Sequence, residues 1–447
     1  MRDILLTTLL FALIPVSIVQ PWLGILTWYW IGLMNPHRLT WGFAYDFPFA
    51  MLIGLAVLIG TLFAKDRKPI PWNRELVLVV ILAAYFTFTT LFAWAPEYAW
   101  PEWLKVIKII LMTFVCTMLI HGRERLRWLL LVIVVSIGFY GFKGGIFTIL
   151  TGGGYRVEGP IGTFIAGNTY LGMALCMVLP LIMSVARDVE QTWLRRLLYA
   201  TFGLTVVSII FTYSRGALLG LAAVLPLMYF KSKRKFLLVF LIIPIALVGK
   251  DLLPGKLTRH AETIETYEQD TSAMQRIQSW TVAWNLAKDY PLTGAGFEFE
   301  YSPNTERWFS YGNPEYNKYL RDSSAAHSIY FQVLGQHGYI ALALFLMLLI
   351  FTQFTFSDIA LRAEQQESTR WMARHATAMR VGLIGYMVSG AFINVAYFDL
   401  MYLYIGFAAL FSRELATVTT MTPDPAADAV ARQQRLHAFD MLKPKEG

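Results

Sequence analysis

Three arginines and one histidine are the residues of this chain best suited to chemistry on an anion: Arg156, Arg215, Arg276 and His327. Arg215 stands in Thr212-Tyr-Ser-Arg215-Gly-Ala, between two apolar runs with almost no loop. It can snorkel at a helix end, or it can aim a planar fork of donors at phosphate oxygens. Arg276 lies in Met274-Gln-Arg276-Ile-Gln-Ser-Trp280-Thr-Val-Ala-Trp284, where apolar positions recur at helical spacing. That spacing predicts an amphipathic helix resting on a membrane or a helix bundle, with Arg276 either on its wet face or turned to a ligand. His327 opens an apolar run as His327-Ser328. A lone histidine there is commonly a cap. Partly buried beside cations, however, it should have a lowered pKa and be neutral at pH 7, as a general base must be. Together these residues fit proton removal from a hydroxyl beside a charged leaving group that arginines stabilise.

Other residues are auxiliary candidates. Arg156 sits in the glycine-rich stretch Gly152-Gly-Gly-Tyr-Arg156-Val-Glu-Gly159-Pro160, and Asn168 follows in the next apolar run. Lys143 precedes that stretch and would snorkel or add charge. Asp399, between the last two apolar runs, reads first as a structural residue and second as one that would orient the histidine or balance an arginine. His337 lies ten residues beyond His327, nearly three helical turns deeper, and reads as a packing or polar contact within the bundle. The turn Pro291-Leu-Thr-Gly294-Ala-Gly296 re-aims the chain. It is no dinucleotide fingerprint, because the third glycine and the preceding strand are missing. Glu262, Glu265, Glu268 and Asp270 are dispersed and lack a metal-ligand spacing, and there is no phosphate-binding loop. No metal and no cofactor are expected.

The elements that must hold these residues are transmembrane helices. The chain has 447 residues, 56% hydrophobic and 15% charged, well below the charge of soluble proteins. Apolar runs at roughly 4–34 (broken at Pro21), 47–64, 75–94, 104–120, 127–149, 161–184, 197–213, 215–230, 235–249, 327–356, 376–396 and 399–412 are continuous rather than alternating. Continuity excludes a membrane β-barrel and predicts an all-α polytopic protein of about twelve spans. Cys116 and Cys176 fall inside these runs as packed thiols. The net charge of +8 does not imply nucleic acid, since most Lys and Arg sit in short loops, where they set orientation. The basic loops at 65–68, 123–127, 195–196, 231–235 and 362–380 fall on alternate connections and so on one, cytoplasmic, side. This predicts four regions: spans over 1–250, an outer loop over 251–326, C-terminal spans over 327–413 and a loose cytoplasmic tail over 414–447. Both termini are then inside, and Arg156, Arg215, Arg276 and His327 all fall at the outer face.

These motifs resemble the O-antigen ligase family, within the larger superfamily of O-antigen ligases, O-antigen polymerases and bacterial protein O-oligosaccharyltransferases. The resemblance rests on His327, Ser328 and Gly338; on Arg276, Trp280, Pro291, Gly294 and Gly296; on Ser214-Arg215-Gly216; and on Arg156, Gly159, Pro160 and Asn168. It covers about 150 to 410. The N-terminal part resembles O-glycosylation ligases associated with exosortase systems, which leaves the acceptor open. Gln336-His337 departs from relatives, which often carry an acidic residue and then an apolar one. The resemblance implies a metal-independent, inverting transfer of the membrane GT-C type in a bacterial inner membrane. Its donor would be a glycan on undecaprenyl diphosphate at the periplasmic face, and its acceptor a sugar hydroxyl of lipid A–core. His327 would be the base, and Arg276 and Arg215 would hold the diphosphate. Protein O-oligosaccharyltransferase and O-antigen polymerase are the nearest alternatives. A lipid-linked glycan transporter or flippase is the alternative of another class, but it would need charges along a pathway deep in the spans.

Overall fold

The structure, a computed structural model, describes residues 1–230, 271–301, 310–315 and 325–421. The predicted span 235–249, the acidic residues 262–270 and the tail beyond Met421 lie outside the described residues. Among them are thirteen α-helices: α1 (Arg2–Val19), α2 (Pro21–Met34), α3 (Phe49–Phe63), α4 (Arg74–Thr90), α5 (Pro96–Leu119), α6 (Gly122–Leu150), α7 (Gly167–Asp188), α8 (Thr192–Ile210), α9 (Arg215–Phe230), α10 (Thr271–Asp289), α11 (Ile329–Glu364), α12 (Arg370–Gly390) and α13 (Asp399–Met421). Five of them, α1, α6, α7, α8 and α11, are long and apolar enough to cross a membrane. The chain is a multi-pass helical membrane protein.

The break expected at Pro21 is present: α1 ends at Val19 and Pro21 is the first residue of α2, where its missing N–H costs no hydrogen bond. Helix α7 is 83% buried over its apolar window and α1 only 11%, so α7 is central and α1 faces outward. Helices α6 and α8 pack backbone to backbone. A Cβ on Gly141 would overlap the Thr205 side chain, one on Gly144 the Ser208 side chain, and one on Gly145 the Leu204 carbonyl oxygen. Small residues permit such approach in the absence of a hydrophobic drive between helices.

Contacts collect the basic loops at one end of the bundle. Arg125 pairs with Asp66 at 2.5 Å, and the Arg123 guanidinium lies 5.5 Å from the Trp371 ring centroid. Arg413 donates to the carbonyls of Thr117 and Ile120 at 2.8 and 2.6 Å, capping the end of α5. Helix α13 runs on to Met421, past residue 414, where the sequence predicts the tail to begin. The opposite end carries the connections 151–166, 211–214, 290–301 and 391–398.

Helix α11 is broken inside the bundle. Gly338 adopts φ 77° and ψ −171°, a region open essentially to glycine alone. The turn expected at 291–296 docks into that break. Ala295 N–H donates to Gly335 C=O at 3.0 Å, Gly296 N–H to Gln336 C=O at 2.8 Å, and Tyr339 N–H to Pro291 C=O at 2.9 Å. Backbone groups freed by the kink therefore regain partners, as buried helix breaks in lipid require. Glycines permit the approach: a Cβ on Gly294 would lie 2.5 Å from the Gln336 carbonyl carbon, and one on Gly338 would overlap the Pro291 carbonyl oxygen.

Candidate functional site

Helix α10 carries Arg276 and Trp280 one turn apart, so both face the same way. Trp280 stacks on Phe331 of α11, with centroids 5.2 Å apart and planes inclined by 10°. Its Nε1–H donates to the Ala326 carbonyl at 2.7 Å. This bond fixes the residue before His327. His327 itself adopts φ 46°, a left-handed conformation that a side chain beyond glycine seldom takes without constraint. Its imidazole remains accessible. The protein packed around it lowers its pKa, and the Arg276 charge lowers it further. The two residues expected to act together are thus within electrostatic reach.

Arg215 is the first residue of α9. The turn before it is built by hydrogen bonds: Thr212 Oγ1 accepts from Ser214 N–H at 3.3 Å, and Ser214 Oγ accepts from Ala217 N–H at 3.3 Å. Tyr213 adopts φ 53°. A cation at the positive end of a helix is unfavourable alone and favourable beside an anion. A Cβ on neighbouring Gly216 would lie 3.1 Å from Phe392 Cβ. Phe392 also meets Trp280, at a centroid distance of 6.5 Å. Helix α9 therefore begins against the same ring that α10 packs on, which brings Arg215 to the neighbourhood of Arg276 and His327.

The glycine-rich segment joins this end from the other side. Asn168 Nδ2 donates to the Thr212 carbonyl at 2.8 Å, Val157 N–H to the Phe211 carbonyl at 3.0 Å, and Tyr213 O–H to the Gly153 carbonyl. Asn168 is thereby a positioning residue for the turn before Arg215. Arg156 is exposed on the same segment.

Lys143, Asp399 and His337 sit in three different surroundings. Lys143 is exposed on α6 beside outward-facing Ile146 and Phe147, a placement that suits snorkelling. Asp399 is buried with Oδ2 3.4 Å from where a Cβ on Gly32 of α2 would be, and its Oδ1 accepts from Leu400 N–H at 2.8 Å. It satisfies a first-turn N–H of α13 and lies against α2. His337 is fully buried, with Nδ1 2.7 Å from Thr89 Oγ1 and its ring between Phe86 and Phe297, each 4.4 Å away. It is a packed histidine.

A cavity of about 590 Å³ adjoins this region. Its walls include Tyr98, Glu102 and Lys105 of α5, Tyr170 of α7, Glu298 and Tyr301, Gln332 of α11 and Tyr397. Gln332 Oε1 accepts from Ala396 N–H at 2.9 Å, and Gln336 Oε1 from Tyr397 O–H at 2.7 Å, tying the first turns of α11 to the cavity wall. Glu298 adopts φ 52°. Burial raises its pKa, and the Glu102 charge raises it further. Burial likewise raises Glu300, followed by the Glu298 charge. Raised carboxyls, amides and aromatic rings suit neutral, hydroxyl-rich ligands, which need donors, acceptors and flat apolar faces together. Sequence reasoning missed this wall. Its signals were the stripe Glu97/Tyr98, Pro101/Glu102 and Lys105 on one helical face, and the carboxylates of Phe297-Glu298-Phe-Glu300-Tyr301 directly after the glycine turn.

Fold and site thus define a multi-pass helical membrane protein in which α10 packs on the start of α11 beside His327, and the turn 291–296 docks into the α11 break. Residues 200–346 match the family described as O-Antigen ligase, and residues 1–191 match a family of unknown function (DUF5935). The match over residues 200–346 supports a member of the O-antigen ligase family, within the ligase and polymerase superfamily. No curated protein matches the chain.

Proposed function

We propose that the protein transfers a glycan from an undecaprenyl-diphosphate carrier to a sugar hydroxyl of lipid A–core, at the periplasmic face of a bacterial inner membrane that it crosses about twelve times. His327 takes the proton of the acceptor hydroxyl. The oxygen attacks the anomeric carbon from the face opposite the diphosphate, with inversion. The bond from the anomeric carbon to the phosphate oxygen breaks, and the lipid diphosphate leaves with the electron pair. Arg276 and Arg215 hold the diphosphate and stabilise its growing charge, Arg215 aided by the start of α9. Exposed Arg156 adds long-range attraction for the donor. The neighbouring cavity receives sugar rings, which exposed Tyr98 and Tyr301 can stack and Glu298 can bond.

The observation that carries this reading is the pairing of Arg276 with a constrained, accessible His327 beneath Trp280. It joins a base to an anion-binding group, as the reaction requires. The test is transfer by purified protein from lipid-diphosphate-linked glycan to lipid A–core, with and without EDTA. Product in both arms supports a metal-independent ligase. His327→Ala should abolish transfer while donor still binds. Full transfer by that variant refutes the base. Transfer to a protein, or to a second carrier-linked glycan, in place of lipid A–core refutes the acceptor while leaving the chemistry intact.

A further inference from the structure

At the basic end of the bundle, opposite the proposed reaction centre, a second cavity of about 330 Å³ opens where α7, α9, α11 and α12 meet. Its lining changes character with depth. The rim carries Arg187, Arg374 and Glu364; Ser184, Ser357, Thr377 and Arg380 follow; Pro180, Met183, Leu227, Met228 and Val381 form apolar walls. Glu364 lies 3.6 Å from Arg370, so the carboxylate at the rim already has a cation.

Two of the arginines are not ordinary surface charges. Arg374 is oriented from behind: Asp188 accepts from it, His375 Nε2 lies 2.7 Å from the other Asp188 oxygen, and Ser184 Oγ lies 2.6 Å from His375 Nδ1. That chain of bonds leaves Arg374 Nε buried with no hydrogen-bond partner. Arg380 stands ten residues into α12, about 15 Å along the helix. It is met there by one neutral hydroxyl, Ser357 Oγ, at 2.8 Å. A half-buried guanidinium bonded to a neutral hydroxyl favours an anion beside it. Arg187 is exposed at the end of α7.

We infer that this cavity is a binding site for an anionic phospholipid of the leaflet at the basic end. Its phosphate would be held by Arg187, Arg374 and Arg380, and an acyl chain would lie along Met183, Leu227 and Val381. A forked donor set matches the phosphate oxygens, and a basic pocket between helices with apolar walls matches a charged headgroup joined to hydrocarbon. Free phosphate would satisfy the arginines but leave the apolar walls wet, so the lipid is favoured. The site is separate from the reaction centre and does not depend on the activity proposed for it.

The test is native mass spectrometry of the full-length protein released from mixed micelles of phosphatidylglycerol and phosphatidylcholine. Phosphatidylglycerol should be retained over phosphatidylcholine, and inorganic phosphate should not displace it. Arg187→Gln and Arg380→Gln should each cut retention about fivefold, the effect of removing about one basic contact at a membrane surface. Arg196→Gln, a loss of charge outside the cavity, should leave it unchanged. Leu227→Trp should cut retention by filling the apolar wall without changing charge. Equal retention of the two lipids, or wild-type retention in Arg187→Gln, an exposed position where misfolding is not at issue, overturns the site. Displacement by millimolar inorganic phosphate overturns the lipid as its ligand.

Discussion

Gly338→Ala tests the structural joint on which the site rests. The position has φ 77° and ψ −171°, and forcing a side chain into such a region costs about 1–3 kcal/mol. The added methyl would overlap the Pro291 carbonyl oxygen, which also accepts from Tyr339 N–H at 2.9 Å. Displacing that oxygen forfeits a hydrogen bond worth about 1 kcal/mol. The expected destabilisation is therefore about 2–4 kcal/mol, before any loss of the Gly335 and Gln336 bonds to the turn. The matched control is Gly203→Ala in α8, where an added Cβ meets nothing within 4 Å; it should be neutral or stabilising by up to about 1 kcal/mol. Thermal unfolding of both variants in one detergent, with glycan transfer measured alongside, separates them. Gly338→Ala should unfold well below wild type and lose transfer, because the turn also sets where Glu298 and α10 lie. A Gly338→Ala protein with the midpoint and transfer rate of Gly203→Ala would refute both the docking of the turn and its influence on the site.

The pKa of His327 lies below its ordinary 6.5, so the neutral base persists to lower pH, and the acid limb of kcat/KM should fall below that value. Arg276→Gln removes one cause of the depression and should move the limb upward, towards 6.5; a limb that stays or moves down contradicts the pairing. Trp280→Phe keeps the ring on Phe331 but loses the 2.7 Å bond to Ala326 C=O. A loss of about 1 kcal/mol in positioning predicts about a fivefold fall in kcat with donor KM little changed. Unchanged kcat would show that this bond does not place His327.

The sequence exposed what depends on one chain segment at a time. The break at Pro21, the amphipathic helix around Arg276 and the start of α11 just after His327 all follow local periodicity and punctuation. What escaped depends on direction around the bundle. Charge bias in the loops ranks residues by height along the membrane normal, which is why Lys143 and Asp399 carried a second reading beside Arg215 and His327. It says nothing of bearing, and Lys143 turns outward while Asp399 turns to α2. The docking of 291–296 into the α11 kink escaped for another reason. Its bonds run from backbone to backbone, so its only trace in the sequence is a few glycines, which are equally consistent with a plain surface turn. The carboxylates Glu298 and Glu300 escaped because an isolated glutamate after a turn looks solvated until the cavity beside it is known.

The seam between α6 and α8 bears on how a lipid-borne substrate reaches the interior. With Gly141, Gly144 and Gly145 pressed against Thr205, Ser208 and Leu204, the two helices leave no gap wide enough for a hydrocarbon chain. Their outer surface is a shut wall, so under the proposed function a lipid carrier would enter from the bilayer along another flank.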